Sequence, residues 1–90
     1  MLQLQLLTTD HCSLCEQALD LLLDMPELAG LGLVVVEITT DDTLLERYGA
    51  QIPVLRGSYA GVDRELAAPF DRQDVLRWLD GWQHQVQSQN

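Results

Sequence analysis

Cys12 and Cys15 are the two cysteines of this 90-residue chain, and they stand three positions apart. A Cys-x-x-Cys pair exchanges disulfides through a thiolate, or supplies two metal ligands. Structural zinc takes four ligands, and only His11 and the distant His84 could join, so a metal site would need a second chain. As a permanent crosslink the pair closes a short loop, which stabilises by only about 1.9 kcal/mol. The spacing therefore favours redox chemistry, with a vestigial site and a metal half-site as alternatives.

The segments on either side of the cysteines predict a strand followed by a helix. Leucines alternate with Gln3 and Gln5 up to Leu7, which is the period of a strand with one buried face. An apolar stripe of helical spacing follows, formed by Leu14, Ala18, Leu21, Leu22 and Met25. Ser13 with Glu16 forms a capping-box pattern, although Cys12 could itself be the N-cap. In either case Cys12 lies at the N-terminus of this helix.

The rest of the chain alternates in the same way. The expected elements are a strand over Leu33–Ile38, a short helix ending at Tyr48, strands over Ile52–Arg56 and Val62–Leu66 around a turn at Gly57–Gly61, and a last helix capped by Asp71. Val75, Trp78, Leu79 and Trp82 form the apolar stripe of that helix, so the tryptophans are expected in the core. The first two strands should be parallel, since a helix connects them. The order β-α-β-α-β-β-α predicts an α/β fold with a four-stranded mixed sheet and helices on both faces.

Composition limits the domain count and the partners. A chain of 10.1 kDa makes one domain, expected over residues 1–82, with a polar tail over residues 83–90. Fourteen acids against five arginines and no lysine give a formal charge of −9, which argues against nucleic acid and membrane partners. No apolar run approaches the roughly 20 residues of a membrane span, and no signal-peptide pattern begins the chain. We expect a cytoplasmic monomer with no bound cofactor or metal.

Three sequence motifs then point to a family. A Cys-x-x-Cys in the first strand-to-helix turn is typical of thioredoxin-like redox sites. The segment Tyr48–Leu55, read Tyr-Gly-Ala-Gln-Ile-Pro-Val-Leu, resembles the thioredoxin segment that leads into the proline strand. With the run Arg64–Asp71, read Arg-Glu-Leu-Ala-Ala-Pro-Phe-Asp, the chain resembles short bacterial glutaredoxin-like proteins from Leu2 to about Trp82.

This resemblance implies a thioredoxin-like fold and a thiol–disulfide oxidoreductase. Cys12 would attack a protein or small-molecule disulfide, and Cys15 would resolve the mixed disulfide. The bond before Pro53 would be cis, and the backbone of Ile52 would pair with an extended substrate. The residues expected to contact the substrate are Ile52, Pro53, His11, Ser13 and Leu14.

The chain also departs from the glutathione-using members of that family. Thr8, Thr9, Asp10 and His11 stand where a lysine is common, and Gly61-Val62-Asp63 is at best a remnant of the glycine turn that grips glutathione. These departures weaken the case for glutathione. Arg47 and Arg56 are the candidates for holding a substrate carboxylate, although solvated surface arginines are commoner.

Local charge leads to a second hypothesis. A helix N-terminus stabilises an anion by about 0.3 to 1 kcal/mol, and Asp10 and Glu16 act against it, so only a modest lowering of the Cys12 pKa is expected. The alternative is a redox-silent binding module that presents the Ile52–Pro53 edge to a partner protein.

Overall fold

The computed structural model describes residues 2–88, with side-chain surroundings up to Gly81. Its element order confirms the sequence prediction. The elements are β1 (Gln3–Thr8), α1 (Ser13–Leu23), β2 (Gly32–Glu37), α2 (Asp42–Tyr48), β3 (Val54–Tyr59), β4 (Val62–Ala67) and α3 (Arg72–Ser88). Single 3₁₀ turns at Pro26–Leu28 and Ile38–Thr40 flank β2. The Trp82 and His84 side chains lie outside the described ones.

The four strands form one mixed sheet in the order β2-β1-β3-β4. β1 and β2 are parallel, as the connecting helix predicted, and the other two pairs are antiparallel. β3, which follows Pro53, therefore lies inside the sheet between β1 and β4. β2 and β4 form the edges of the sheet, whereas Ile52 and Pro53 precede β3 and lie outside the paired strands.

Alternation along β1 divides the core between the two faces of the sheet. Leu4 and Leu6 point to one face and pack with Leu22 of α1 and Val75 of α3. Leu7 points to the other face, where the cluster contains Ile38, Tyr48 and Val54. The seven residues of α2 cover only part of this second face, and Gln3 and Gln5 remain exposed there. The sheet thus has helices on both faces, with α2 as the smaller cover.

The connection between β3 and β4 is shorter than the sequence predicted. The two strands pair as far as Tyr59 and Val62, which leaves a two-residue turn of Ala60 and Gly61. Both residues have positive φ, 54° and 78°, which is the requirement of a type I′ turn. The predicted five-residue turn at Gly57–Gly61 is wrong because Gly57 is buried inside β3 rather than in the loop.

Two reciprocal side-chain hydrogen bonds cap the N-terminus of α3. The Asp71 carboxylate accepts a hydrogen bond from Asp74 N at 2.9 Å, and Asp71 N donates to the Asp74 carboxylate at 3.0 Å. This reciprocal pair confirms Asp71 as the N-cap. Trp78 is 5% exposed, so it belongs to the core as expected.

Candidate functional site

Cys12 is the N-cap of α1, so its sulfur lies at the N-terminus of the helix. Its backbone is extended, with φ of −109° and ψ of 102°, and its Sγ accepts a hydrogen bond from Cys15 N at 3.1 Å. Of the two caps that the sequence allowed, Cys12 is therefore the correct one, and Ser13 is the first helical residue. An N–H donor and the positive end of the helix dipole both face this sulfur, which favours its anionic form.

The two sulfurs differ in their access to solvent. Cys12 is half-buried, whereas Cys15 is 4% exposed in the first turn of α1. The structure joins them in a disulfide, with Cα atoms 5.2 Å apart. An incoming molecule meets Cys12 first, and Cys15 is within bonding reach of Cys12 alone among the described sulfurs.

An apolar groove of about 350 Å³ lies beside the cysteine pair. Leu14, which stands between the two cysteines, forms part of one wall and is 60% exposed. Ile52, Pro53 and Phe70 also line the groove. Leu14 was also expected on the buried stripe of α1, and that part of the expectation is wrong. Its exposed side chain instead gives the groove an apolar surface next to Cys12 and Cys15.

Part of the backbone that lines this groove is unpaired. The Pro53 carbonyl accepts a hydrogen bond from Ala68 N at 3.0 Å, and the Ile52–Pro53 peptide bond is cis. Ile52, in contrast, makes no backbone hydrogen bond to any of residues 2–88. An extended segment lying in the groove would find this free N–H and C=O, which is how an added strand is held.

Charge around the cysteine pair is acidic. Asp10 and Glu16 are both exposed on either side of it. Glu37 lies at the same end of the sheet, opposite Thr8, and accepts a hydrogen bond from Thr39 Oγ1 at 2.8 Å. That hydrogen bond lowers the pKa of Glu37, which therefore stays ionised at neutral pH. An anion approaching Cys12 meets repulsion from this surface.

The structure brings only part of the predicted site together. Leu14, Ile52 and Pro53 line the groove, whereas His11 and Ser13 are exposed beside Cys12 and do not line it. Arg47 and Arg56, the candidates for a substrate carboxylate, line a different pocket on the α2 face. The groove residues that the sequence analysis missed are Gln17, Ala18, Leu21, Ala50, Gln51, Ala68, Pro69 and Phe70. Helical spacing from Leu14 would have found the three on α1.

Comparison with known proteins decides the family. Residues 3–80 match the family model described as "Glutaredoxin-like domain (DUF836)". The chain belongs to this glutaredoxin-like family. No curated protein matches it.

Solved structures agree with this assignment. The glutaredoxin-like chain is similar to the X-ray structure of Northeast Structural Genomics target protein XcR50 from X. campestris. The two are 37% identical over 87% of this chain and 96% of that one, with a TM-score of 0.71. It is also similar to thioredoxin 1 from Thermosipho africanus TCF52B, with a TM-score of 0.69 and 11% identity over 94% and 98% of the two chains. The second likeness shows a thioredoxin-like fold, as the resemblance implied.

The described part of this glutaredoxin-like domain has neither a cluster of metal ligands nor a membrane-spanning helix. Within residues 2–88, no three His, Cys, Asp or Glu side chains with described positions cluster so as to hold a metal ion. Among the helices that are described, none is long and apolar enough to cross a membrane.

Proposed function

We propose that this protein is a thiol–disulfide oxidoreductase in which Cys12 attacks and Cys15 resolves. The observation that carries the proposal is the asymmetry of the pair. Cys12 is half-buried and receives the Cys15 N–H at 3.1 Å, whereas Cys15 is buried behind it. The thiolate is the species that attacks a disulfide, so the sulfur that the helix N-terminus stabilises is the one suited to attack.

The exchange proceeds in two balanced steps. The Cys12 thiolate bonds to one sulfur of the substrate disulfide, and the other substrate sulfur leaves as a thiolate that takes up a proton from water. Cys15, once deprotonated, then attacks Cys12 Sγ, forms the Cys12–Cys15 disulfide and releases the second substrate thiol. Two electrons have passed to the substrate, and an external thiol must reduce the protein before the next turnover.

The groove indicates what kind of substrate is favoured. Its exposed Leu14 and half-buried Ile52 offer apolar contacts, and the free backbone of Ile52 offers strand pairing. Both features suit an extended protein segment that carries a disulfide. The acidic residues around Cys12 make glutathione, which is anionic, a poor fit. We therefore propose protein disulfides as substrates, with small neutral or cationic disulfides as surrogates.

Two single substitutions test the assigned roles. Cys12→Ser should abolish turnover of 2-hydroxyethyl disulfide, because the remaining cysteine, Cys15, is only 4% exposed. Cys15→Ser should retain the first attack and accumulate a mixed disulfide, which mass spectrometry detects as the mass of one added mercaptoethanol unit. Equal residual turnover in both variants, or an adduct at Cys15 in Cys12→Ser, would contradict the proposal.

A redox-silent binding module remains the second candidate. It is favoured by the free Ile52 backbone, which could hold a partner without any use of the cysteines. Equilibration of the Cys12–Cys15 pair against glutathione buffers separates the two functions. An oxidoreductase should give a defined potential between about −120 and −270 mV. A pair that stays reduced throughout that range would favour the binding module.

A further inference from the structure

A second pocket lies on the α2 face of the sheet, away from the cysteines. Its volume is about 450 Å³. Gln3 and Gln5 of β1 and Ser58 of β3 line it, all with exposed side chains. Gln5 precedes Thr8 by three residues of extended strand, which is about 10 Å, and the cysteines follow beyond Thr8. The pocket is therefore separate from the apolar groove beside the cysteine pair, and the two have no lining residue in common.

Tyr48 holds two positive charges at one side of this pocket. The guanidinium carbon of Arg47 lies 5.2 Å from the centre of the Tyr48 ring, and that of Arg56 lies 5.7 Å from it. The ring cannot turn aside, because Tyr48 is 3% exposed and its hydroxyl donates a hydrogen bond to Glu65. Burial, followed by this hydrogen bond, raises the pKa of Tyr48, so the hydroxyl stays protonated as a donor.

The two arginines are not equally occupied by carboxylates. Arg56 Nε lies 3.7 Å from the Glu65 carboxylate, which also receives the Tyr48 hydroxyl. Arg47 forms no ion pair with any residue whose side chain is described, whereas Arg72 and Arg77 pair with Glu27 and Asp74. Arg47 is exposed and keeps its hydrogen-bond donors available. Of the five arginines in this chain of charge −9, three line the pocket, namely Arg47, Arg56 and Arg64, against two acids, Asp63 and Glu65. The lining is therefore net positive, which attracts a negative ligand.

We propose that this pocket binds a small polar monocarboxylate. The planar guanidinium of Arg47 presents paired donors that match the two oxygens of a carboxylate, and Arg56 adds a second guanidinium close by. The amides of Gln3 and Gln5 and the Ser58 hydroxyl then hydrogen-bond the polar body of the ligand. A single negative charge fits better than a phosphate, because Asp63 and Glu65 also line the pocket and repel a second one.

Titration with sodium lactate, followed by NMR of the ¹⁵N-labelled protein, tests this site. Saturable shifts are expected at the Gln3, Gln5 and Ser58 amides and at the Arg47 and Arg56 Nε–H groups, with a dissociation constant in the millimolar range. The Cys12 and Cys15 amides should not move. Lactamide, which has the same shape without the charge, should give no saturable shift. Sodium chloride at matched ionic strength should behave like lactamide.

Two arginine variants provide the matched comparison. Arg47→Gln should weaken lactate binding at least about tenfold, whereas Arg77→Gln, which removes the same charge from α3, should leave it unchanged. Arg47→Lys keeps the charge but loses the planar donors, so its affinity should be intermediate. Linear shifts without saturation, equal affinity in Arg47→Gln and Arg77→Gln, or tighter binding of inorganic phosphate than of lactate would each overturn the proposal.

Discussion

At the scale of single residues, Leu14 and Leu23 show that position distinguishes two exposed leucines of the same helix. Leu14 and Leu23 lie at opposite ends of α1 and are 60% and 70% exposed. Of these two leucines, only Leu14 lines the groove beside the cysteine pair. Contact with a substrate would remove Leu14 from water, and burying a leucine contributes about 1.5 to 3 kcal/mol.

Leu14→Gln should therefore lower kcat/KM for a protein disulfide by about tenfold or more. Turnover of 2-hydroxyethyl disulfide, which is too small to fill the groove, should change little. Leu23→Gln is the control, and its kcat/KM for both substrates should match that of the parent. Steady-state assays on the two substrates decide the matter, and an equal loss in both variants would show that the groove does not bind protein substrates.

Asp71 links a single carboxylate to the pH dependence of stability. The hydrogen bond from Asp74 N lowers the pKa of Asp71 below its ordinary value of 3.8. A carboxyl with a lowered pKa stabilises the fold above the unfolded-state value and loses that contribution as the pH falls through the folded-state value. The contribution of Asp71 should therefore be complete at neutral pH and disappear at a pH below 3.8.

Asp71→Asn keeps a capping oxygen but removes the titration. Its urea midpoint should lie close to that of the parent at neutral pH and should fall less steeply on acidification. Asp71→Ala loses the cap as well, so its midpoint should already be lower at neutral pH. Urea unfolding from about pH 7 to about pH 2.5 measures these trends. Parallel curves for the parent and Asp71→Asn would contradict the assignment.

At the scale of elements, the sequence predicted the order and type correctly but not the connection between β3 and β4. Ala60 has a φ of 54°, which nothing in an alanine side chain indicates. The turn was predicted from the two glycines Gly57 and Gly61. Gly57, however, lies within β3, where it is the cross-strand partner of Arg64. Strand order was equally hidden, since the apolar run Val34-Val35-Val36 indicated burial, whereas β2 is an edge that leaves Val34 58% exposed. Order depends on long-range pairing, which local patterns do not encode.

The candidate site divides in the same way. The cysteines, Ile52 and Pro53 were predicted because their motif and spacing are local. Phe70 was missed as a groove residue because only the fold brings the segment before α3 next to Ile52 and Pro53. Arg47 and Arg56 lie close to Pro53 in sequence but on the α2 face in space.

The hairpin turn offers a direct test at this scale. A left-handed conformation costs a residue other than glycine about 1 kcal/mol, and asparagine tolerates it best. Ala60→Asn should therefore raise the free energy of unfolding by about 0.5 to 1 kcal/mol. Gly61→Ala should lower it by about 1 kcal/mol through conformation alone, since a Cβ at Gly61 would meet no atom within 4 Å. Urea unfolding measures both, and a destabilised Ala60→Asn would contradict the turn geometry.

At the scale of the whole molecule, the net charge and the acids near Cys12 should both affect how fast a charged disulfide reaches the cysteine pair. The charge of −9 attracts cations from a distance. Near Cys12, the carboxylates of Asp10, Glu16 and Glu37 make the local potential negative as well. Electrostatic steering changes association rates by about tenfold to a thousandfold, and salt removes it. In the proposed function, the groove then selects by contact among the disulfides that this charge attracts.

Small disulfides of different charge can show how much of the reaction rate depends on electrostatic attraction and how much on the exchange reaction itself. Cystamine is cationic, 2-hydroxyethyl disulfide is neutral and glutathione disulfide is anionic, but their leaving thiols also differ, so absolute rates are a poor comparison. The salt dependence of each rate isolates the charge. Raising the ionic strength from about 0.02 M to about 0.5 M should slow reduction of cystamine, accelerate that of glutathione disulfide and leave the neutral disulfide unchanged.

Neutralising the charges next to Cys12 should reduce the dependence of these rates on ionic strength. Asp10→Asn with Glu16→Gln removes the two acids beside the cysteine pair, whereas Asp63→Asn with Glu46→Gln removes the same charge elsewhere on the surface. The first double variant should lose more of the salt dependence than the second, because unscreened repulsion falls with distance. Stopped-flow rates at several salt concentrations provide the comparison. Equal slopes for the two double variants would mean that net charge alone, rather than the acids at the site, sets the preference for cationic disulfides.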